Sequence, residues 1–400
     1  MREMQRRDFL GALGATLASS ALAQQAPRYD ILIQNGELRD PASQLRRKGD
    51  LAILDGRIAA IGGEIPAERG IDTIDARGLY VTPGLVDLHT HCYHAATGLG
   101  VEADPIAARS GVTTWVDAGS FGWDATEGFR RFIVRPQQAR IFGFVYLYPS
   151  SRDPSVNPVE YVRRQMRQTG ETAVANRDIL LGVKFQVGSN MNGPYSLEFL
   201  KIARELCDRY HLPLMAHISF APPETDQVME LMRPGDIVTH IYNHHTLGIL
   251  DSAGKIKRSV LEARARGVWM DVGHGLGSFN FESARKALDA GFPPDSISTD
   301  IYNLNIHGPV YDLPTTLTKL LYLGMSFEDV LLRATANPAR VVNRVPLMGT
   351  LQMGAPADVA LLAMEEGSFQ LIDSQKNTVT AKQRIVSRLT ICRGKRLTAI

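Results

Sequence analysis

The rhythm of apolar and polar residues changes twice along the chain. From Tyr29 to about Tyr80, short apolar stretches alternate with turns. Asp30-Ile31-Leu32-Ile33 precedes Asn35-Gly36, while Leu51-Ala52-Ile53-Leu54 and Arg57-Ile58-Ala59-Ala60-Ile61 flank Asp55-Gly56. Asn-Gly and Asp-Gly tolerate the positive φ of tight turns, so this segment is predicted to be β-rich with hairpins at both dipeptides. At Pro83-Gly84 the pattern becomes one of apolar strand-like runs separated by amphipathic stretches. Eight runs end near His89, Asp117, Leu147, Val187, His217, His240, Asp271 and Asp300. Between them lie segments such as Glu198 to Tyr210, which places Leu200, Ile202, Ala203 and Leu206 on one helical face. Strand–helix alternation of this kind predicts an α/β fold, a (β/α)8 TIM-type barrel over residues 81–345, with its chemistry at the C-terminal strand ends.

After the eighth run, Ser326 and Asp329 form a capping box for a helix running toward Ala336, which Asn337-Pro338 should end or kink. Beyond Arg344 the short-strand style returns, in Gly349-Thr350-Leu351, Val359-Ala360-Leu361-Leu362 and Arg384 to Ile391. Residues 29–80 and 346–400 are therefore expected to build one small β-sandwich domain beside the barrel.

Composition narrows the functional classes. The 400 residues are 44% hydrophobic and 22% charged, ordinary for a globular chain long enough for a barrel and an accessory domain. A net charge of +2 without a basic, aromatic-interleaved stripe argues against a nucleic-acid partner. The first 23 residues read as an export signal. Arg6-Arg7-Asp8-Phe9-Leu10 resembles a twin-arginine motif, a Gly/Ala-rich apolar stretch follows, and Ala21-Leu22-Ala23 offers an A-x-A cleavage site. The stretch is too short and Gly/Ala-rich for a stable membrane span. The expected destination, through the twin-arginine export machinery and cleavage near Ala23, is the bacterial periplasm or the exterior. Three cysteines, Cys92, Cys207 and Cys392, without a C-x-x-C pair read as buried apolar residues rather than a thiolate metal site.

The candidate chemistry lies at the strand ends. His89 and His91, two apart on one strand, share a face and can reach one metal. His217 and His240 each close an apolar run, and Asp300 ends the last one. Taken alone, either of those histidines could be a satisfied core residue; beside the H-x-H pair they read as ligands. Lys184 lies among Leu181, Val183, Phe185 and Val187, which points it into the barrel, where an unpaired ammonium is costly. Tyr93, His94, Tyr242, Asn243, His274 and Ser278 follow strand ends and could line a substrate pocket or serve the loops. No G-x-S-x-G nucleophile elbow is present.

These motifs carry a resemblance. Val81-Thr82-Pro83-Gly84-Leu85-Val86-Asp87-Leu88-His89-Thr90-His91 resembles the first-strand motif of the amidohydrolase superfamily, and Gly354-Ala355-Pro356-Ala357-Asp358 its closing motif. Ser110 to Ser120, Asp271 to Phe279 and Ile297 to Asp300 are most similar to its deacetylase-like metallohydrolases, a group associated with acetylated α-hydroxy acids such as acetyl-mandelate. The resemblance implies two divalent ions, expected to be Zn²⁺. His89 and His91 would hold the more buried ion and His217 and His240 the more exposed one. Lys184, carboxylated by CO₂, would bridge them as a carbamate. Asp300 would bind the first ion and act as general base and then acid while a bridging hydroxide attacks an amide or ester of a small, carboxylated substrate. Relatives of dihydroorotase type carry an arginine two residues after the H-x-H where this chain has Tyr93, which counts against that activity. The alternatives are a cyclic amidase of hydantoinase type and a metal-free binding protein on the same scaffold. Homo-oligomers, common among such relatives, are compatible with this reading.

Overall fold

The computed structural model describes residues 28–148, 155–342 and 348–398. The export signal, with its Arg6-Arg7 pair and Ala23 site, lies outside the described residues. Among these residues, no helix is long and apolar enough to cross a membrane.

Both chain ends enter one sheet. Tyr29–Asp40 (β1), Leu45–Leu54 (β2), Arg57–Gly62 (β3), Gly70–Asp75 (β4) and Tyr80–Pro83 (β5) come from the amino-terminal side. Seven barrel strands intervene, and Val359–Ile372 (β13), Thr378–Cys392 (β14) and Lys395–Arg396 (β15) return to the same sheet, β13 pairing antiparallel with β5. Ile33, Leu38, Leu51, Ile53 and Val81 from one end share a core with Val359, Leu361 and Ile391 from the other. Asp55-Gly56 makes the predicted hairpin between β2 and β3, with φ of 51° and 71°. Asn35-Gly36 does not. It lies inside β1 as a bulge, where Asn35 takes φ 62° and its N–H leaves the ladder to donate to Asp50 Oδ1. The dipeptide signals positive φ, which a bulge satisfies as well as a turn.

Seven parallel strands follow in sequential order: Leu85–Thr90 (β6), Val112–Ala118 (β7), Arg140–Tyr146 (β8), Leu180–Val187 (β9), Leu214–Ile218 (β10), Ile237–Thr239 (β11) and Trp269–Asp271 (β12). The eighth predicted run is no regular strand. Residues 296–301 nevertheless bridge the two open edges, through Asp271–Ser296 on one side and Thr90–Ile301 on the other. Val272 and His274 donate to the carbonyls of Ser296 and Ser298, and Asp300 donates to His89 O at 2.6 Å. The ring is thus closed by an irregular stave, and its irregularity falls at a candidate catalytic residue. The predicted helix at Glu198 appears as Ser196–Tyr210, with Leu200, Ile202, Ala203 and Leu206 buried. Ser326 caps Phe327–Ala334 by accepting from Asp329 N. The chain breaks at Thr335 and restarts as Ala336–Val342, with Pro338 in its first turn, where a missing N–H costs nothing. All three cysteines are free and buried.

Candidate metal centre

Strand ends and the loops behind them bring the candidate ligands together. Asp300 Oδ1 lies 3.3 Å from His89 Nε2 and 3.2 Å from His91 Nε2. Lys184 Nζ is 3.1 Å from His89 Nε2. The His240 ring sits 5.0 Å from that of His89 and 4.3 Å from that of His217, centroid to centroid. All six predicted residues therefore occupy one region at the C-terminal ends of the strands.

Hydrogen bonds fix which imidazole nitrogens face inward. Thr239 Oγ1 gives its proton to Asp271 Oδ2 at 2.7 Å, so at 2.9 Å from His89 Nδ1 it accepts. The His89 proton is then on Nδ1, and the unprotonated Nε2 lies between Lys184 Nζ and Asp300 Oδ1. Gly273 O can only accept, so His240 Nδ1 donates to it at 2.6 Å and its Nε2 is left unprotonated. His91 Nδ1 is engaged by Ser120 Oγ at 2.9 Å. Asp271 also accepts from the hydroxyls of Ser296 and Ser298, at 2.6 and 2.7 Å, tying the strand that orients His89 to the irregular stave. Outer partners of this kind orient metal-binding histidines.

The residues fit a metal ion. His89, His91 and Asp300 form a three-ligand group whose donor atoms lie within 4.8 Å of one another. Asp300 Oδ1 is buried without a hydrogen-bond partner. Two imidazole nitrogens and a carboxylate oxygen at such distances could hold a cation. Their 3.2–3.3 Å separations also match the roughly 3.3 Å between donors placed tetrahedrally at about 2.0–2.1 Å from zinc. Burial, with the positive groups around it, holds His89 well below the usual imidazole range, and burial takes His240 down to about 4. His89 and His240 are thus kept neutral, as ligands must be. Burial also pushes the Lys184 amine down to about 8, against the pull of Asp300 and Asp271.

Three glycines with left-handed backbones make room for this packing. A Cβ on Gly119 (φ 90°) would press into the Lys184 side chain. One on Gly273 (φ 50°) would strike Thr239, His240 and His89, and one on Gly275 (φ 56°) would strike Asp300 Oδ2. The motifs at 119 and 273–275 therefore shape the centre as well as terminate strands.

The proposed pocket residues divide. Tyr242 is fully buried and donates to Phe292 O, and the Asn243 amide is spent on the carbonyls of Ile218, His240 and Leu247. His274 is also fully buried, with Gly275 O on one ring nitrogen and Lys319 on the other. These three serve the loops and present no free polar atom to a ligand. The Tyr93 ring packs against Phe121 and Phe129. Ser278 is buried, and only His94 of this set keeps moderate exposure. A cavity of about 210 Å³ opens instead beside Lys184 and His91, lined also by Leu99, Ser120, Tyr146, Tyr148 and Gln186. Tyr146 donates to Gln186 Oε1 at 2.9 Å. Gln186 lies two residues after Lys184 on β9, so its place on the same face was readable from alternation.

Comparison with known proteins gives the family. The profile of the Amidohydrolase family matches residues 80–397. The chain belongs to the amidohydrolase family. This amidohydrolase is 33% identical over 373 residues to a deacetylase of Enterococcus faecalis, covering 92% of this chain and 98% of that one. Among solved structures it is similar to an adenine deaminase (TM-score 0.83, 32% identity, 92% of this chain and 99% of that one) and to a dihydroorotase (TM-score 0.81, 29% identity, 92% and 97%). The chain is accordingly a hydrolase built on an amidohydrolase barrel.

Proposed function

We propose that the enzyme is a dinuclear metal-dependent hydrolase that cleaves an exocyclic amide or ester of a small, carboxylated substrate, as a deacetylase does. The observation that carries this reading is the buried Asp300 Oδ1, unbonded and facing two imidazole nitrogens beside a sequestered lysine. His89, His91 and Asp300 would hold one ion and His217 and His240 a second, with Lys184 between them as a CO₂-derived carbamate. An ammonium has no lone pair and cannot ligate, whereas a carbamate supplies two anionic oxygens. When bound, zinc-type ions polarise a carbonyl and bring the pKa of water from about 15.7 toward 7. Asp300 Oδ2, the oxygen turned away from the two histidines, takes a proton from the water that attacks the acyl carbon and returns it to the leaving nitrogen or oxygen as the C–N or C–O bond breaks. The cavity at Tyr146, Tyr148 and Gln186 orients the part of the substrate that is not cleaved. The deacetylase name of the Enterococcus relative supports an exocyclic bond, and the dihydroorotase neighbour supports a cyclic amide as the second reading. Export to the periplasm through the Arg6-Arg7 signal belongs to the same proposal.

The test is a panel of N-acyl amino acids, acetylated hydroxy acids and cyclic imides, assayed with the metal content of the same preparation. Turnover of the first two classes with about two ions per chain is expected; turnover of imides alone would select the second reading. Lys184→Ala should lose metal and nearly all activity. Unchanged binding and turnover in that variant would reject the bridge.

A further inference from the structure

Lys319 is fully buried on the helix Leu313–Tyr322, where neighbouring positions carry Leu317, Leu320 and Leu321. Its Nζ lies 2.7 Å from His274 Nε2 and 2.7 Å from Pro309 O. Among the described residues no carboxylate pairs with it. An aliphatic residue would fill such a site without the cost of burying an amine, so the nitrogen is retained for its two hydrogen bonds, with the Phe279 ring 5.9 Å away.

Those contacts belong to the two loops that hold Asp300. On one side, Gly275 O can only accept, so His274 Nδ1 donates to it at 2.8 Å and Nε2 is left to accept from Lys319. The His274 ring is also stacked on Phe279 at 4.6 Å. Gly275 itself is tied to Thr299 O and lies against Asp300 Oδ2. On the other side, Asn305 Nδ2 donates to Asp300 O at 2.9 Å, and Gly308 N donates to Asn305 O just before Pro309. Asp300 needs this support, because its φ of 49° is a conformation that a non-glycine residue holds only under constraint. The helix is itself anchored from the accessory sheet, where Ile385 N donates to Thr318 Oγ1 at 3.0 Å.

We infer that Lys319 is a positioning residue for the hydrolytic reaction, clamping the 273–275 loop to the 301–309 loop so that Asp300 keeps its orientation. This rests on the role proposed for Asp300. Lys319 touches neither substrate nor metal; it acts through His274 and Gly275. Displacing a reacting group by about 1 Å costs on the order of 100-fold, and outer partners of metal sites are typically worth about 10- to 100-fold.

The experiment compares the zinc-loaded full-length enzyme with Lys319→Met and Lys319→Gln, the latter keeping an N–H donor. Lys319→Met should lower kcat about 10- to 100-fold, with KM within about threefold and metal content unchanged, and Lys319→Gln should recover part of kcat. On a His274→Asn background, Lys319→Met should cost no further activity, since the two residues form one unit. Wild-type kcat in Lys319→Met, or losses that follow metal content or thermal stability in both variants, would overturn the inference. If Lys319→Met does not accumulate, Lys319→Gln and the double variant carry the same test. A wild-type enzyme without metal or hydrolytic turnover would instead overturn the proposed function, so the two failures are distinguishable.

Discussion

Replacing Gly275 by alanine tests the assignment of Asp300 with a single methyl group. The added Cβ meets Asp300 Oδ2 well inside van der Waals contact, and the residue keeps a φ of 56° that alanine adopts only with strain. The backbone term is about 1–2 kcal/mol of stability. The contact term is different in kind. Asp300 is fixed by Asn305 at its carbonyl and by His89 O at its amide, so the side chain must turn away from His89 and His91. A displacement of about 1 Å predicts a kcat loss on the order of 100-fold, roughly 2.7 kcal/mol of barrier. Gly235→Ala is the control. It has φ 89°, so it carries comparable backbone strain, but its Cβ meets nothing within 4 Å and it sits in an exposed turn before the start of β11. Urea unfolding and steady-state kinetics on the best panel substrate would be measured for both. Similar stability losses are expected, with kcat reduced only in Gly275→Ala. A Gly275→Ala enzyme with kcat within about twofold of wild type would show that Asp300 need not occupy this position, and the mechanism would fail with it.

Other consequences follow from the same contacts. Asp271→Ala strands the buried hydroxyls of Thr239, Ser296 and Ser298, at about 1–3 kcal/mol each, so urea denaturation should show a loss of about 3 kcal/mol or more; a loss under about 1 kcal/mol would contradict the network. Tyr146→Phe removes the donor to Gln186 and should raise KM about fivefold, the equivalent of one hydrogen bond of roughly 1 kcal/mol, with kcat little changed; an unaltered KM across the panel would remove this cavity from substrate binding. Burial takes the Lys319 amine from an ordinary 10.5 down to about 7, with Asp373 and Asp312 opposing and the neutral His274 facing it. Between those values the unfolded chain holds a proton that the native chain lacks, so native stability rises with pH. The unfolding free energy of wild type relative to Lys319→Met should therefore increase from about pH 7 to pH 10; a flat or falling difference would place the Lys319 amine outside this assignment.

The metal-site candidates were legible because each ends an apolar run, and in a parallel barrel the ends of such runs meet at one rim. His89 and His91 needed only strand alternation, and Lys184 only its apolar flanks. The eighth stave was half legible. Ile297 to Asp300 has a strand's composition, but its backbone bends to give Asp300 positive φ, and no periodicity reports that. Three of the pocket candidates illustrate a related limit of local pattern. Tyr242, Asn243 and His274 follow strand ends as the ligands do, yet their polar atoms are consumed by Phe292 O, the carbonyls around Asn243, and Lys319.

What turns a histidine in the right place into a ligand is the proton on its other nitrogen, and that proton is set from far along the chain. Thr239 lies 150 positions from His89, and Gly273 lies 33 from His240. Thr239 can accept the His89 proton only because Asp271 takes its own, and Asp271 stays in place through two serines on the irregular stave. A local pattern names the ligand; the chain of donors that makes Nε2 available exists only once the barrel has closed. The closing stave carries Asp300 and also completes the network that prepares His89, so ring closure and ligand preparation are one structural event. Any variant that loosens residues 296–301 should therefore weaken the metal binding proposed at His89 even where it leaves every candidate ligand unchanged.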